Sequence, residues 1–282
     1  MKENERYNII TNEKMTNQVI EGEIIMKPED IKEYLLRRCN RPLGKEEGIL
    51  FGDPYIEIRN ILVTWMATLD AIEEAIRKEC NFILCHEALF YPYVVPEGLG
   101  DVLSWRTNRK RLELLAKNGI TVFRAHGLLD YLLITEYFGK TCNLGEPVVK
   151  EGIAYIYQVA PIILKDFARS IKSSMNLPSI RMAGDPEKEI SRIGIAVGGM
   201  GLFVNIGFWE ILLKYNVDVI LVGETDEYAI RYALDSGVAV VETTHPSSEN
   251  PGLKKFSEEL ARDFPDVKVY FYDVGNKWIY IT

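Results

Sequence analysis

The stretch Ile58–Glu87, IRNILVTWMATLDAIEEAIRKECNFILCHE, holds a complete βαβ unit and decides the fold class. Ile58 to Met66 reads as a strand. Asp70 to Lys78 places Ile72, Ala75 and Ile76 at helical spacing. Phe82 to Cys85 is a second, short apolar strand, and His86-Glu87 lies at its carboxyl end. Ligands of open α/β sheets gather at the carboxyl ends of strands, so these two residues are the first candidates for chemistry.

Upstream, residues 1–25 read as an N-terminal extension. Pro28 suits a first helical turn, Glu29 and Asp30 favour the positive end of a helix, and Ile31, Tyr34 and Leu35 follow at helical spacing. Gly48 to Pro54 reads as a short strand closed by a turn. Downstream, Asn108 to Asn118 is an expected helix capped by Gly119. Ile120 to Phe123 is an expected strand leading into Arg124-Ala-His-Gly-Leu-Leu-Asp130. Residues from about 140 to 190 are less periodic, with a strand expected at Ile153 to Val159 and a helix after Pro161. A third unit then opens with Ser191 to Val197, Gly198-Gly-Met-Gly201, and a helix to about Asn216. Asp218 to Val222 is an expected strand ending in Gly223-Glu224. Asp226 to Ser236 is an expected helix, and Val238 to Glu242 a strand delivering Thr243-Thr-His-Pro-Ser-Ser-Glu249. Asn250-Pro251 is the expected cap and first turn of a helix through Arg262. Val267 to Val274 is the last expected strand.

Asn60–Glu87 and Arg192–Glu224 share one order, strand, helix, apolar strand, glutamate, which is either an internal duplication or the generic grammar of βαβ units. The expected architecture is α/β, with two similar lobes facing across a cleft. The expected division is 1–25 extension, 26–140 first lobe, 141–190 intervening segment and 191–282 second lobe, the lobes forming one unit.

Composition narrows the function. The 282 residues, 47% hydrophobic and 26% charged, are those of an ordinary globular protein. With 33 basic and 41 acidic residues the net charge is −8, which argues against binding nucleic acid by phosphate neutralisation. No apolar run approaches the roughly 20 residues of a bilayer span, so no membrane partner is expected. Met1–Ile25 has no secretory signal pattern, and the cytoplasm is the expected location. Cys39, Cys80, Cys85 and Cys142 form no C-x-x-C pair, and a cytosolic chain keeps them reduced. Cys85 is either a soft ligand beside His86 or a small buried residue ending its strand.

The chain has only three histidines, and each sits in or beside one of the strand-end segments. His86, Glu87, Asp130, His245 and Glu249 together offer two imidazoles and three carboxylates, which suit Zn, Mn, Fe or Co better than Ca. They suffice for two divalent ions sharing a bridging carboxylate. Each has a plainer reading alone. His86 could be a satisfied polar residue, Glu87 a solvated acid and Asp130 a helix cap. His245 and Glu249 are four apart, one helical face, although Pro246 and Asn250-Pro251 argue for a loop leading into the helix. Gly198-Gly-Met-Gly201 either cradles a phosphate or lets a helix pack close. Glu224 is either a general base or partner of the site, or a surface acid.

Six segments occur in an order that resembles the NIF-three-like family (NGG-interacting factor three), whose members are described as GTP cyclohydrolase one type two. They are Gly48-Ile-Leu-Phe-Gly-Asp-Pro54, His86-Glu-Ala-Leu-Phe-Tyr91, Ala125-His-Gly-Leu-Leu-Asp130, Gly198-Gly-Met-Gly201, Val222-Gly-Glu224 and Thr244-His-Pro-Ser-Ser-Glu249. The resemblance spans roughly residues 26 to 282. It implies two related lobes, a dinuclear metal centre in the cleft between them, and a toroidal homohexamer. By position it implies His86, Asp130, His245 and Glu249 as ligands, with Glu87 where the family has a second histidine. His126 matches a histidine near the site. The activity expected is metal-dependent hydrolysis of a small heterocyclic or nucleotide-like substrate, with Glu224 or His126 moving protons. The alternatives are a metal-binding or cofactor-assembly protein without turnover, and a ring-shaped scaffold.

Overall fold

A computed structural model of the chain describes residues 19–20, 23–93, 100–279 and 281. The expected extension, residues 1–25, lies outside these apart from Ile25 and an antiparallel hairpin, β1 (Val19–Ile20) and β2 (Glu23–Ile24). The chain continues through α1 (Pro28–Cys39), β3 (Gly48–Phe51), β4 (Asn60–Thr64), α2 (Leu69–Arg77), β5 (Phe82–Cys85), α3 (Arg106–Asn118) and β6 (Thr121–Arg124). One turn of helix, α4 (Gly127–Leu129), leads through a wide π-helical turn at Asp130–Ile134 into α5 (Thr135–Thr141). Then follow β7 (Val149–Glu151), β8 (Ala154–Ile163), α6 (Leu164–Ser174), β9 (Arg181–Ala183) and β10 (Glu189–Ala196). The chain ends with α7 (Ile206–Leu213), β11 (Val219–Val222), α8 (Glu227–Asp235), β12 (Ala239–Glu242), α9 (His245–Asp263) and β13 (Lys268–Tyr272).

Two sheets result, ordered β13-β4-β5-β6-β3 and β7-β8-β10-β11-β12-β9. In the first, β13, β4, β5 and β6 run parallel; in the second, β10, β11 and β12 do. The strands are apolar at successive positions because both faces are covered. Ile61, Val63, Phe82 and Leu84 point into one central cluster with Ile193, Ile195, Val219 and Leu221 of the other sheet. The central layer between the sheets includes α9, whose Leu253, Phe256 and Leu260 are fully buried. Each of these side chains stabilises the fold by roughly 1.5–3 kcal/mol relative to exposure. The intervening residues face outward. Leu62, Ile83 and Val122 pack under α2 and α3. Ile220, Val222 and Val240 pack under α7 and α8.

Several elements differ from expectation. Residues 141–190 are not an excursion: β7, β8 and β9 within them are strands of the second sheet. The last strand, expected in the second lobe, pairs with β4 from Lys268↔Asn60 to Tyr272↔Thr64 and so completes the first sheet. Gly198–Gly201 and Phe203–Asn205 form two 3-10 turns before α7 begins at Ile206. α9 starts at His245, not at Pro251; Pro246 occupies its first turn, and Pro251 lies inside it. Among the described residues no helix is long and apolar enough to cross a membrane.

Candidate metal centre

The two sheets present equivalent strand ends to one another. After β4 comes Trp65, and after β10 comes Gly198. After β5 comes Glu87, and after β11 comes Glu224, each two residues past its strand. After β6 comes His126-x-x-x-Asp130, and after β12 comes His245-x-x-x-Glu249. The repeat seen between Asn60–Glu87 and Arg192–Glu224 therefore extends to a third strand on each side.

All five expected ligands converge. His86 Nε2 lies 3.5 Å from Asp130 Oδ1 and 3.5 Å from Glu249 Oε1. His245 Nε2 lies 3.2 Å from Glu87 Oε1 and 3.3 Å from the same Glu249 oxygen. Two donors each about 2.1 Å from one ion at a tetrahedral angle stand about 3.4 Å apart, so this spacing suits ligands sharing an ion. Glu249 Oε1 belongs to both imidazole groups. His86, His126 and Asp130 form one group that could hold a metal ion, and His86, Glu87 and Glu249 another. His126, expected beside the metal, is thus also within reach of it. Its Nε2 lies 3.9 Å from Glu87 Oε1.

Each imidazole is turned by what sits behind it. His86 Nδ1 lies 3.1 Å from the Ala125 carbonyl, and His245 Nδ1 lies 2.9 Å from Glu224 Oε2. An N–H donated backwards leaves Nε2 free to face the carboxylates, the arrangement seen behind metal-bound histidines. Glu224 thus reaches the centre through His245. Two glycines make the approach possible. A Cβ on Gly252 of α9 would stand 2.5 Å from Ile134 Cα, so only glycine lets α9 lie against the π-helical turn and bring Glu249 to Asp130. A Cβ on Gly198, whose φ is +53°, would stand 2.7 Å from Glu249 Cδ and 2.9 Å from His245 Nε2. The glycine run after β10 therefore makes room for the acid and the imidazole. Thr244, just before His245, has φ 149°, a conformation that strains a β-branched residue.

The electrostatics follow from burial of both signs together. Burial alone lowers the pKa of His86, but the carboxylates of Glu249 and Asp130 hold it up at about 9. Burial opposes the charge on His245 too, and Glu249, Glu224 and Glu87 raise it to about 12. Asp130 is pushed up to about 7 by burial and by the neighbouring carboxylates. Glu87 and Glu249 resist burial and sit below the usual carboxylate range because the imidazoles face them. His126 is lowered by burial and by the charge of His86, which keeps it neutral.

Three contributors were not singled out in the sequence. Trp65 donates from Nε1 to Glu249 Oε2 at 2.6 Å. It directly follows a parallel strand, the same signal that pointed to His86. Arg124 Nη2 lies 3.8 Å from Glu87 Oε2, and its Nε donates to the His86 carbonyl at 3.0 Å. Glu47 Oε1 accepts from the backbone N–H groups of His126 and Leu128 at 2.6 and 3.1 Å, fixing the start of α4. No local pattern marks the last two.

The residues fit a cation. His86 Nε2 is buried without a hydrogen-bond partner, a costly arrangement for an imidazole nitrogen unless something else faces it. The donors around it are those that transition-metal dications take.

The chain is an α/β protein whose candidate metal centre lies between the strand ends of two facing sheets. It belongs to the Duf34/NIF3 (NGG1p interacting factor 3) family, whose model matches residues 29–277. It is 26% identical over 225 residues to a GTP cyclohydrolase 1 type 2 homolog of Clostridium acetobutylicum, covering 76% of this chain and 80% of that protein. The corresponding homolog of Clostridium perfringens is 29% identical over 224 residues, covering 76% and 82%. A hypothetical protein of Staphylococcus aureus has the same fold, with a TM-score of 0.75 at 21% identity over 91% of this chain and 100% of that one.

Proposed function

We propose that this protein is a metal-dependent hydrolase acting on a small heterocyclic or nucleotide-like substrate. His86, Glu87, Asp130, His245 and Glu249 are the residues that would hold two divalent ions of the Zn, Fe, Mn or Co type. The observation that carries this reading is the single Glu249 oxygen within 3.5 Å of His86 Nε2 and 3.3 Å of His245 Nε2. Divalent ions bound there would supply Lewis acidity. The chain's own groups do the rest. Neutral His126 can accept a proton at the edge of the cluster, 3.9 Å from Glu87. Glu224 holds the His245 ring and can take a proton from its Nδ1. Trp65 fixes the second oxygen of Glu249 so that the first stays between the two imidazoles. The homohexamer implied by the family resemblance belongs to the same proposal, and sedimentation of the purified protein tests it.

Elemental analysis of protein purified without chelators, with hydrolysis assays of wild type, His245→Ala and Asp130→Asn, tests the assignment. Loss of bound metal and of turnover in both variants is expected. Metal content equal to wild type in both variants rejects the ligand set. A metal-replete wild type inert towards purine nucleotides, cyclic amides and esters favours a metal-holding protein without turnover.

A further inference from the structure

We propose that the Tyr93 hydroxyl is the hydrogen-bond donor that this centre turns towards the atom gathering negative charge in its reaction. The proposal rests on the hydrolase reading above and adds a catalytic residue to it. Tyr93 lies eight residues past the end of β5 and is 53% exposed.

The segment after β5 carries two tyrosines, and each meets a buried arginine. Arg111 lies over the Tyr91 ring at 4.7 Å, and its Nη2 donates to the Tyr91 hydroxyl at 3.2 Å. Arg124 lies over the Tyr93 ring at 4.8 Å, and its Nη2 donates to the Tyr93 hydroxyl at 2.9 Å. The two hydroxyls differ in what becomes of their own hydrogen. That of Tyr91 goes to Met66 Sδ at 3.4 Å. That of Tyr93 meets no acceptor among the described residues. A guanidinium donates and cannot accept, so the Tyr93 hydrogen is left for water or for a bound molecule. The bond from Arg124 also polarises the phenol, which strengthens its hydrogen as a donor.

Its place is beside the cluster. The Tyr93 ring meets the His126 ring edge-on, with centroids 6.2 Å apart. The Arg124 Nη2 that it accepts from lies 3.8 Å from Glu87 Oε2. The side chains of His126 and Asp130 are 25% and 16% exposed, so solvent reaches the cluster on this side. The donor is also held in advance. Asn108 Oδ1 accepts from the Tyr91 N–H at 2.9 Å, its Nδ2 donates to the Tyr91 carbonyl, and Arg111 donates to the Leu89 carbonyl. Arg124 is fixed in turn by the His86 carbonyl. When a water oxygen adds to an unsaturated ring carbon, the π electron pair moves onto the attached oxygen or nitrogen. The Tyr93 hydrogen bond stabilises that charge, and the phenol keeps its proton. A donor already in place needs no reorganisation as the charge develops.

The test uses the full chain loaded with Co²⁺, whose visible spectrum reports anions arriving at the ion. The probes are azide and orthophosphate, titrated into wild type, Tyr93→Phe and Tyr91→Phe. Tyr93→Phe keeps the ring beside His126 and is expected to hold Co²⁺ and to melt as the wild type does. It is expected to bind at least one probe about 10- to 100-fold more weakly, the range for a hydrogen bond to a charged group. Tyr91→Phe is expected to bind both as the wild type does, because the Tyr91 hydrogen is already taken. Wild-type affinity for both anions in Tyr93→Phe overturns the proposal. So does an equal loss in Tyr91→Phe, or loss of Co²⁺ from Tyr93→Phe, either of which makes the segment a structural support. A wild type that takes up no Co²⁺ overturns the proposal and the hydrolase reading together. Anion binding that depends on Tyr93, in a protein inert towards purine nucleotides, cyclic amides and esters, keeps the donor and sinks the hydrolase reading. Turnover that Tyr93→Phe leaves unchanged does the reverse.

Discussion

Replacing Gly198 by alanine is expected to empty the metal centre while leaving the protein folded. The new methyl would meet Glu249 Cδ at 2.7 Å and His245 Nε2 at 2.9 Å, where ordinary contact begins at 3.4 Å, and it comes closer still to Glu249 Oε1. Metal shells tolerate errors of about 0.2 Å in ligand position. With a methyl at that distance, the oxygen of Glu249, which is 2% exposed, cannot keep its position between the two imidazoles. Removing only an outer partner of a ligand typically costs 10- to 100-fold in metal affinity, so displacing the shared ligand itself is expected to cost at least about 100-fold. The backbone cost is smaller. Alanine at φ +53° is destabilised by roughly 1–2 kcal/mol, a fall of a few degrees in Tm for a chain of this size. Gly207→Ala is the control, because a Cβ there meets nothing within 4 Å. Metal titration followed by calorimetry, with a thermal melt of each variant, reads both quantities. Wild-type metal affinity in folded Gly198→Ala would refute the placement of Glu249 and with it the shared-ligand geometry.

Trp65→Phe keeps an aromatic ring but removes the N–H that Glu249 Oε2 accepts. A loss of about 10- to 100-fold in metal affinity at unchanged Tm is expected, and equal affinity discounts the role of Trp65. Metal affinity is also expected to rise with pH. Asp130 and His86 are shifted upward, to about 7 and about 9, so the ion-free site keeps its protons below those values and an incoming ion must displace them. Calorimetry in buffers of different ionisation enthalpy should register proton release, and an affinity flat through this range contradicts the assignment. Gly252→Ala presses a methyl on the Ile134 backbone and should destabilise the fold by about 1–3 kcal/mol in urea melts. A wild-type midpoint there shows that α9 does not need so close an approach.

The βαβ units were legible because their signals are local. β4, α2 and β5 fall within two residues of the expected strand, helix and strand, since apolar runs and the Thr68 cap lie inside each segment. The side chains that converge at the strand ends were legible for the same reason. The start of α9 was not. A proline at position 251 removes one helical donor, and the local reading moves the helix start to it. The turn before it is held from outside: the Ser248 hydroxyl accepts from the Gly198 backbone N–H at 2.8 Å and donates to the His245 carbonyl at 2.8 Å. The partner of β13 was likewise hidden, because a strand's own residues record its pleat and not which distant edge receives it. Trp65 falls inside the expected strand Ile58 to Met66, whereas β4 ends at Thr64, so its place at a strand end was hidden.

The pairing of β13 with β4 has an outcome for synthesis of the chain. Residues 48–124 supply four of the five strands of their sheet, yet the fifth follows every strand of the second sheet in chain order. Helix α9, bearing His245 and Glu249, is the tether that carries this closing strand across. A nascent chain therefore cannot gather the buried acids and imidazoles until α9 has been made. Any ion held by this cluster would be bound only after both halves of the fold have been made.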